Sequence, residues 1–256
     1  MRIAHLACVA PPEIGGIGRV ASEEVAQLLS IGIEARLFAP RPHETHAMGA
    51  PHHVQQVQPH WRLRHASSVP RSAVLAWKPD VVHLHYPFYG TAEPWLYKKP
   101  TVPTVVTFHM DAMPTGWRSW LVRAQAKLLQ SPLLRHADEI LVSSRDYAAQ
   151  STLAPLLEDR HISSVELPFA VDTDRFVPIE KDASLKQLRI LFVGGMDAAH
   201  AFKGVPELLE ALRDLKTYDW TLSLVGDGVL RPGFEAFALQ IGIADRARFV
   251  GRLTEE

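Results

Sequence analysis

Three glycines, Gly15, Gly16 and Gly18, crowd the stretch PPEIGGIGRVA near the N-terminus, between an apolar run and the start of a helical repeat. Backbone without side chains lets a ligand approach closely. The following helix start offers unpaired N–H groups and a positive dipole end, both suited to phosphate. Gly16, Gly18 and Ala21 also satisfy the loose dinucleotide fingerprint Gly-x-Gly-x-x-Gly/Ala, although a tight turn with no ligand fits the same residues. A nicotinamide enzyme further needs an acidic residue closing its second strand to hold the ribose, and here that strand ends Phe38, Ala39, Pro40, Arg41. Arg41 suits a 2′-phosphate, so an NADP-dependent oxidoreductase stays open as an alternative. Pro11, Pro12 and Glu13 lengthen the turn before the glycines and count against it.

Other chemistry is sparser. His83 and His85 alternate along DVVHLHY and face one side of a strand, a geometry that suits a metal, yet no third ligand is evident and no metal site is expected. His43, His46, His52, His53, His60 and His65 fall in an irregular stretch without ligand spacing. Neither a Gly-x-Ser-x-Gly elbow nor a Walker A loop is present, which removes the usual hydrolase and nucleoside-triphosphatase starting points. A helix expected from Trp117 to Arg135 carries Arg118, Arg123, Lys127 and Arg135 beside Trp117, Trp120, Leu121 and Leu128. An ordinary amphipathic helix on a sheet and a peripheral contact with an anionic membrane both fit that pattern.

The elements that would position these residues alternate. Apolar β-rich runs at Arg2–Ala10, Ile33–Ala39, Asp80–Tyr86, Thr104–His109, Glu139–Ser143 and Val165–Phe169 are interleaved with helical repeats, the first at Arg19–Ser30. Residues 41–65 read as a long loop with at most short elements. Such alternation predicts a parallel sheet covered on both faces. A turn-rich stretch, AVDTDRFVPIEKDASLK, reads as a linker, with the boundary near Asp182. The series then restarts: strands at Arg189–Val193, Thr221–Val225 and Arg248–Val250, helices at Val205–Leu215 and Pro232–Ile241. Three strands make about half of a doubly wound sheet. The fold class is therefore α/β with two Rossmann-like domains, residues 1–182 and 183–256, the second expected to be incomplete.

Composition narrows the partners. A net charge of −1 provides no basic field for nucleic acid, and nucleic acid is not expected as a partner. One cysteine, Cys8, precludes a disulfide framework and permits a reducing compartment. The N-terminus lacks the apolar core of a signal peptide, and no stretch reaches the roughly 20 apolar residues that span a bilayer. The expected location is cytoplasmic, with peripheral contact at the inner membrane face as the variant.

An ordered set of motifs goes further: PPEIGGIGRVASEEVAQLL, VVHLHYP, VVTFHMD, ADEILVSS, VELPFAVDTDRF, ILFVGGMD, FKGVPELLEAL, LVGDG and RFVGRLTEE. In this order they resemble glycosyltransferase family 4. The resemblance implies a GT-B fold with a donor cleft between two domains. It also implies transfer from a nucleotide-diphosphate sugar to a glycan, lipid-linked or small-molecule acceptor, with retention of configuration and without cofactor or metal. On that resemblance Gly15 and Gly16 lie near donor phosphate or acceptor, and His109 matches the active-site histidine that orients the donor sugar. Asp111 assists it or caps a loop. Lys203 matches the lysine that holds the diphosphate, and Gly226, Asp227 and Gly228 form the turn near the nucleotide.

Two departures qualify the likeness. The arginine that commonly precedes the lysine is replaced by Gly195, Met196, Asp197 and then His200, leaving His200 or Arg231 as candidates for a second cation. The family's pair of glutamates spaced eight residues apart would fall beyond Glu256, and Glu255 and Glu256 do not substitute for it. A binding protein or inactive fragment of such an enzyme is accordingly the second reading.

Overall fold

The alternation of apolar runs folds as parallel sheets. In the computed structural model the described residues are 1–13, 15–42, 49–63, 66–98, 101–111, 120, 130–159, 162–178, 187–215 and 217–253. They divide into two compact units, one running up to Val171 and the other starting at Asp172. The linker boundary expected near Asp182 falls within 179–186, outside the described residues.

In the first unit, strands β1 (Arg2–Leu6), β2 (Glu34–Pro40), β3 (Val54–Val57), β6 (Val81–Tyr86), β7 (Thr104–Phe108), β8 (Glu139–Val142) and β9 (Ser164–Glu166) form one sheet. The order is β3-β2-β1-β6-β7-β8-β9, and every neighbouring pair is parallel. Strands β4 (Arg62–Leu63) and β5 (Ala66–Ser67) make a separate small hairpin. The stretch expected to hold at most short elements thus supplies one of the sheet's two edge strands. The chain winds outward from β1 in both directions, so the order reverses between β1 and β6. Open α/β sheets bind ligands beyond the strand ends at such a switch point.

Side-chain period two sorts the residues of β1, β6 and β7 onto two faces. Ala4, Leu6, Val82, Leu84, Val106 and Phe108 join a large apolar core with Trp95 and Leu96. On the other face Leu37 and Ala39 meet Ala21 and Val25 of helix α1 (Gly16–Ser30). The strand expected over Val165–Phe169 is shorter, because Pro168 has no N–H to extend the ladder beyond Leu167.

The second unit restarts the pattern with β10 (Leu188–Val193), β11 (Trp220–Val225) and β12 (Ala247–Gly251), all parallel and in sequence order. Helices Val205–Asp214 and Arg231–Gln240 cover it, and Trp220, Leu222 and Leu224 close its core against Leu209 and Leu212. The helix expected over Trp117–Arg135 lies outside the described residues apart from Trp120 and 130–135, where Ser131–Leu134 forms one helical turn. Among the described residues no helix is long and apolar enough to cross a membrane.

Candidate functional site

At the switch point the chain leaves β1, passes the proline and glycine stretch, and enters α1. Gly15 is the N-cap, with extended backbone, no side-chain cap and no acidic residue in the first turn. The first N–H groups of the helix are therefore unpaired by side chains. A Cβ placed on Gly16 would meet no atom of the described residues within 4 Å, so that side of the turn is open among them. Gly18 is different: its Cβ would come within 2.3 Å of the Val9 carbonyl oxygen. Glycine is needed there so that α1 can press against the preceding loop. The fingerprint's middle glycine thus serves packing, as does Gly15, whose Cβ would fall 2.7 Å from Val9 Cγ1, while Gly16 borders free space.

His109 follows β7 directly and donates its backbone N–H to the Tyr86 carbonyl at 2.9 Å, which fixes it at the strand ends. Its ring is half-buried, stacked on Phe169 with centroids 5.0 Å apart. Burial holds the imidazole down at about 4, so it is neutral at physiological pH. Its Nε2 lies 2.9 Å from Nδ1 of His85. His85 Nε2 in turn lies 3.0 Å from Nδ1 of His5. His83 Nε2 shares a hydrogen bond with the Thr107 hydroxyl at 2.6 Å.

The rim histidine thus stands on three buried ones, and the parallel register explains how. His5 pairs with His83 across β1 and β6, and His85 pairs with Thr107 across β6 and β7. Burial, then the neighbouring imidazoles, keep His5 and His85 well below the ordinary histidine range; burial, then His109, holds His83 at about 4. Glu24 of α1 faces all three buried rings at 3.7 to 3.9 Å, and burial raises its carboxyl to about 7. His83 and His85, for which sequence alone offered no third ligand, therefore meet two further ligand-bearing side chains, His5 and Glu24. Their signals were present: His5 is a polar residue inside an apolar strand. Glu24 lies three residues from Ala21 and four from Leu28, on the inward stripe of its helix.

Asp111 sits among structural partners. Its carboxylate accepts from the Thr152 backbone N–H at 3.1 Å and from the Thr152 hydroxyl, while its own N–H donates to the Tyr147 hydroxyl at 2.9 Å. It ties the segment after His109 to the 151–153 turn.

In the second unit, Lys203 ends a 3-10 helix, Ala198–Lys203, and its side chain lies over Gly194 at the end of β10. Among the described residues Lys203 has no ion pair. The other two candidate cations are engaged: His200 Nδ1 lies 2.9 Å from Asp197, and Arg231 binds Glu235 at 2.7 Å and the Phe249 carbonyl at 3.1 Å. Asp227 accepts from the Gly228 N–H at 2.8 Å and faces Arg231 at 3.6 Å. Gly226 has φ +130°, and a Cβ there would fall 1.9 Å from the Gly194 carbonyl oxygen. Glycine lets the ends of β10 and β11 touch backbone to backbone beside Lys203.

A glycosyl transferase 4-like domain matches residues 15–155, which include α1, β6 and His109. Glycogen synthase of Mycobacterium tuberculosis is 27% identical over 197 residues, covering 70% of this chain and 43% of its own length. A D-rhamnosyltransferase of Pseudomonas aeruginosa is 28% identical over 189 residues, covering 71% and 46%. The chain thus spans less than half the length of the curated relatives it matches. Sucrose-phosphate synthase from Thermosynechococcus elongatus shares the fold, with a TM-score of 0.73 at 16% identity over 98% of this chain and 70% of that one. The fold is the GT-B type implied by the sequence motifs, and nothing in these likenesses favours an oxidoreductase.

Proposed function

The chain belongs to the glycosyl transferase 4-like family, and from that membership we propose that it moves a sugar from a nucleoside-diphosphate sugar to a glycan, lipid-linked or small-molecule acceptor with retention of configuration. The observation that carries this reading is Lys203, an ammonium without an ion pair among the described residues, beside the touching backbones of Gly194 and Gly226 at the ends of two parallel strands. As the bond from the anomeric carbon to the diphosphate oxygen breaks, negative charge grows on the leaving group. A fixed cation and backbone N–H groups stabilise that charge more in the transition state than in the bound donor.

In the first unit, His109 serves as a neutral hydrogen-bonding group that orients the sugar, and Gly15 and Gly16 present backbone N–H groups to phosphate or acceptor at the start of α1, with the open space beside Gly16. Asp111 is a positioning residue that holds the segment beyond His109. No covalent nucleophile is invoked. Peripheral docking on anionic membrane through 117–135 belongs to the same proposal, and salt-sensitive co-sedimentation with anionic vesicles tests it.

The direct test is calorimetric titration with UDP, GDP and ADP. We expect one of them to bind, and Lys203→Ala to weaken that binding about tenfold or more, as loss of a charged hydrogen bond to phosphate requires. A chain that binds none of the three, or binds equally well without the lysine, overturns the donor assignment.

A further inference from the structure

We propose that His5, Glu24, His83 and His85 form a binding site for a first-row divalent transition metal ion, with zinc(II) the best match, beneath the rim histidine His109. Their ligand atoms all lie within 4.8 Å of one another. His5 Nδ1 and His85 Nε2 are 3.0 Å apart. Glu24 Oε2 stands 3.8 Å from His5 Nδ1, 3.9 Å from His83 Nδ1 and 3.7 Å from His85 Nε2. A tetrahedral ion with bonds of about 2.0–2.1 Å needs neighbouring ligand atoms about 3.3–3.4 Å apart. The Glu24 separations exceed that spacing by only about 0.3–0.6 Å, and the pair His5 and His85 falls about 0.3–0.4 Å short of it, so small side-chain adjustments suit such an ion.

The surroundings fit as well as the distances. Burial keeps the three imidazoles neutral, which is the form that binds metal. Three imidazoles and one carboxylate select zinc and its neighbours over magnesium or calcium, which take oxygen ligands. Outer partners already hold two of the three rings: Thr107 engages His83 Nε2, and His109 engages His85 Nδ1. Metal-bound histidines characteristically use their second nitrogen in this way, which fixes ring orientation and tautomer. Among the described residues no lysine or arginine pairs with Glu24, and Nε2 of the buried His5 has no hydrogen-bond partner. A cation at the centre answers the first of these deficits directly.

The site also reaches the rim. An ion on His85 Nε2 leaves the ring proton on Nδ1, which then donates to His109 Nε2. Neutral His109 must carry its own proton on Nδ1, so the ion fixes which nitrogen of His109 is the donor. The ion itself stays below the crevice and touches no substrate.

The experiment is metal titration of the tag-free, chelator-treated full chain. Zinc uptake is read by competition with a chromophoric chelator, and cobalt(II) uptake by the intense visible bands of tetrahedral cobalt. We expect one ion per chain, the tetrahedral cobalt spectrum, and affinity at least tenfold weaker in Glu24→Gln and His83→Asn. Circular dichroism checks the fold of each variant. Should His83→Asn not fold, Glu24→Gln, whose side chain is 29% exposed, carries the test. A His52→Ala/His53→Ala variant removes loop histidines outside the site and should still take up one ion. No stoichiometric uptake, or equal uptake by wild type and Glu24→Gln, overturns the site whatever the outcome for sugar transfer.

Discussion

One strand, β6, carries two chemistries. Val82, Leu84 and Tyr86 point into the large apolar core, while His83 and His85 point the other way among imidazoles, Thr107 and the Glu24 carboxylate. Both sets are buried, but for different reasons. Burying Leu84 contributes about 1.5–3 kcal/mol by removing apolar surface from water. An imidazole gains little in that way, because each ring nitrogen loses water and must find a partner inside. The apolar face accounts for why the sheet folds. The imidazole face needs the sheet to be folded already, since its partners come from β1, β6, β7 and α1 and meet only in the native register.

That contrast can be broken from the apolar side first. Leu84→Ala should lower unfolding free energy by about 2–5 kcal/mol, measured by urea denaturation, because it leaves a cavity in a fully buried core. Asp111→Ala tests the polar rim next to His109. It leaves the Thr152 N–H and hydroxyl without their acceptor, with an expected loss of about 1–2 kcal/mol and a lower transfer rate as the segment after His109 loosens. Thr107→Val keeps the volume and removes only the hydroxyl that His83 uses, so stability should fall by about 0.5–1.5 kcal/mol. Zinc affinity should fall more conspicuously, about 10–100-fold, as for other outer partners of metal ligands. If Thr107→Val destabilised as much as Leu84→Ala and left metal uptake untouched, the two faces would be doing the same job.

The apolar face was legible in the sequence, and the imidazole face only in part. Runs such as VVHLHY and TVVTFH mark strands because β-branched and apolar residues suit a pleated, buried surface, and most of the expected strands lie within a residue or two of the observed ones. Period two also puts His83 and His85 on one side. It cannot say that β1 lies beside β6 with His5 opposite His83, because that adjacency comes from a crossover through β2 and β3. Nor can it say that Glu24 on α1 lies over that register. The motifs single out Lys203 as an expectation, but that it has no ion pair among the described residues, against the engagement of Arg231, depends on the packing of β10 and β11. Val54–Val57 was hidden for a simpler reason: a four-residue edge strand among histidines and glutamines has no periodicity to betray it.

Cys8 sharpens the comparison with the smallest effect. It belongs to the apolar side, where it packs against the large core, and burial pushes its thiol up to about 11. Raising the pKa favours the protonated thiol, so at pH 8 only about one molecule in a thousand carries the thiolate, against roughly a quarter for a free cysteine. A thiol reagent at pH 8 should therefore react with the folded chain a few hundred times more slowly than with free cysteine, and denaturant should remove the difference. Stability need not change at all. The chain's strongest zinc-binding side chain by type thus stands apart from the histidine cluster and in its non-ligating form. A rapid reaction in the folded state would put a thiolate within reach of solvent, and the division between an inert apolar face and a ligand-bearing imidazole face would have to be redrawn.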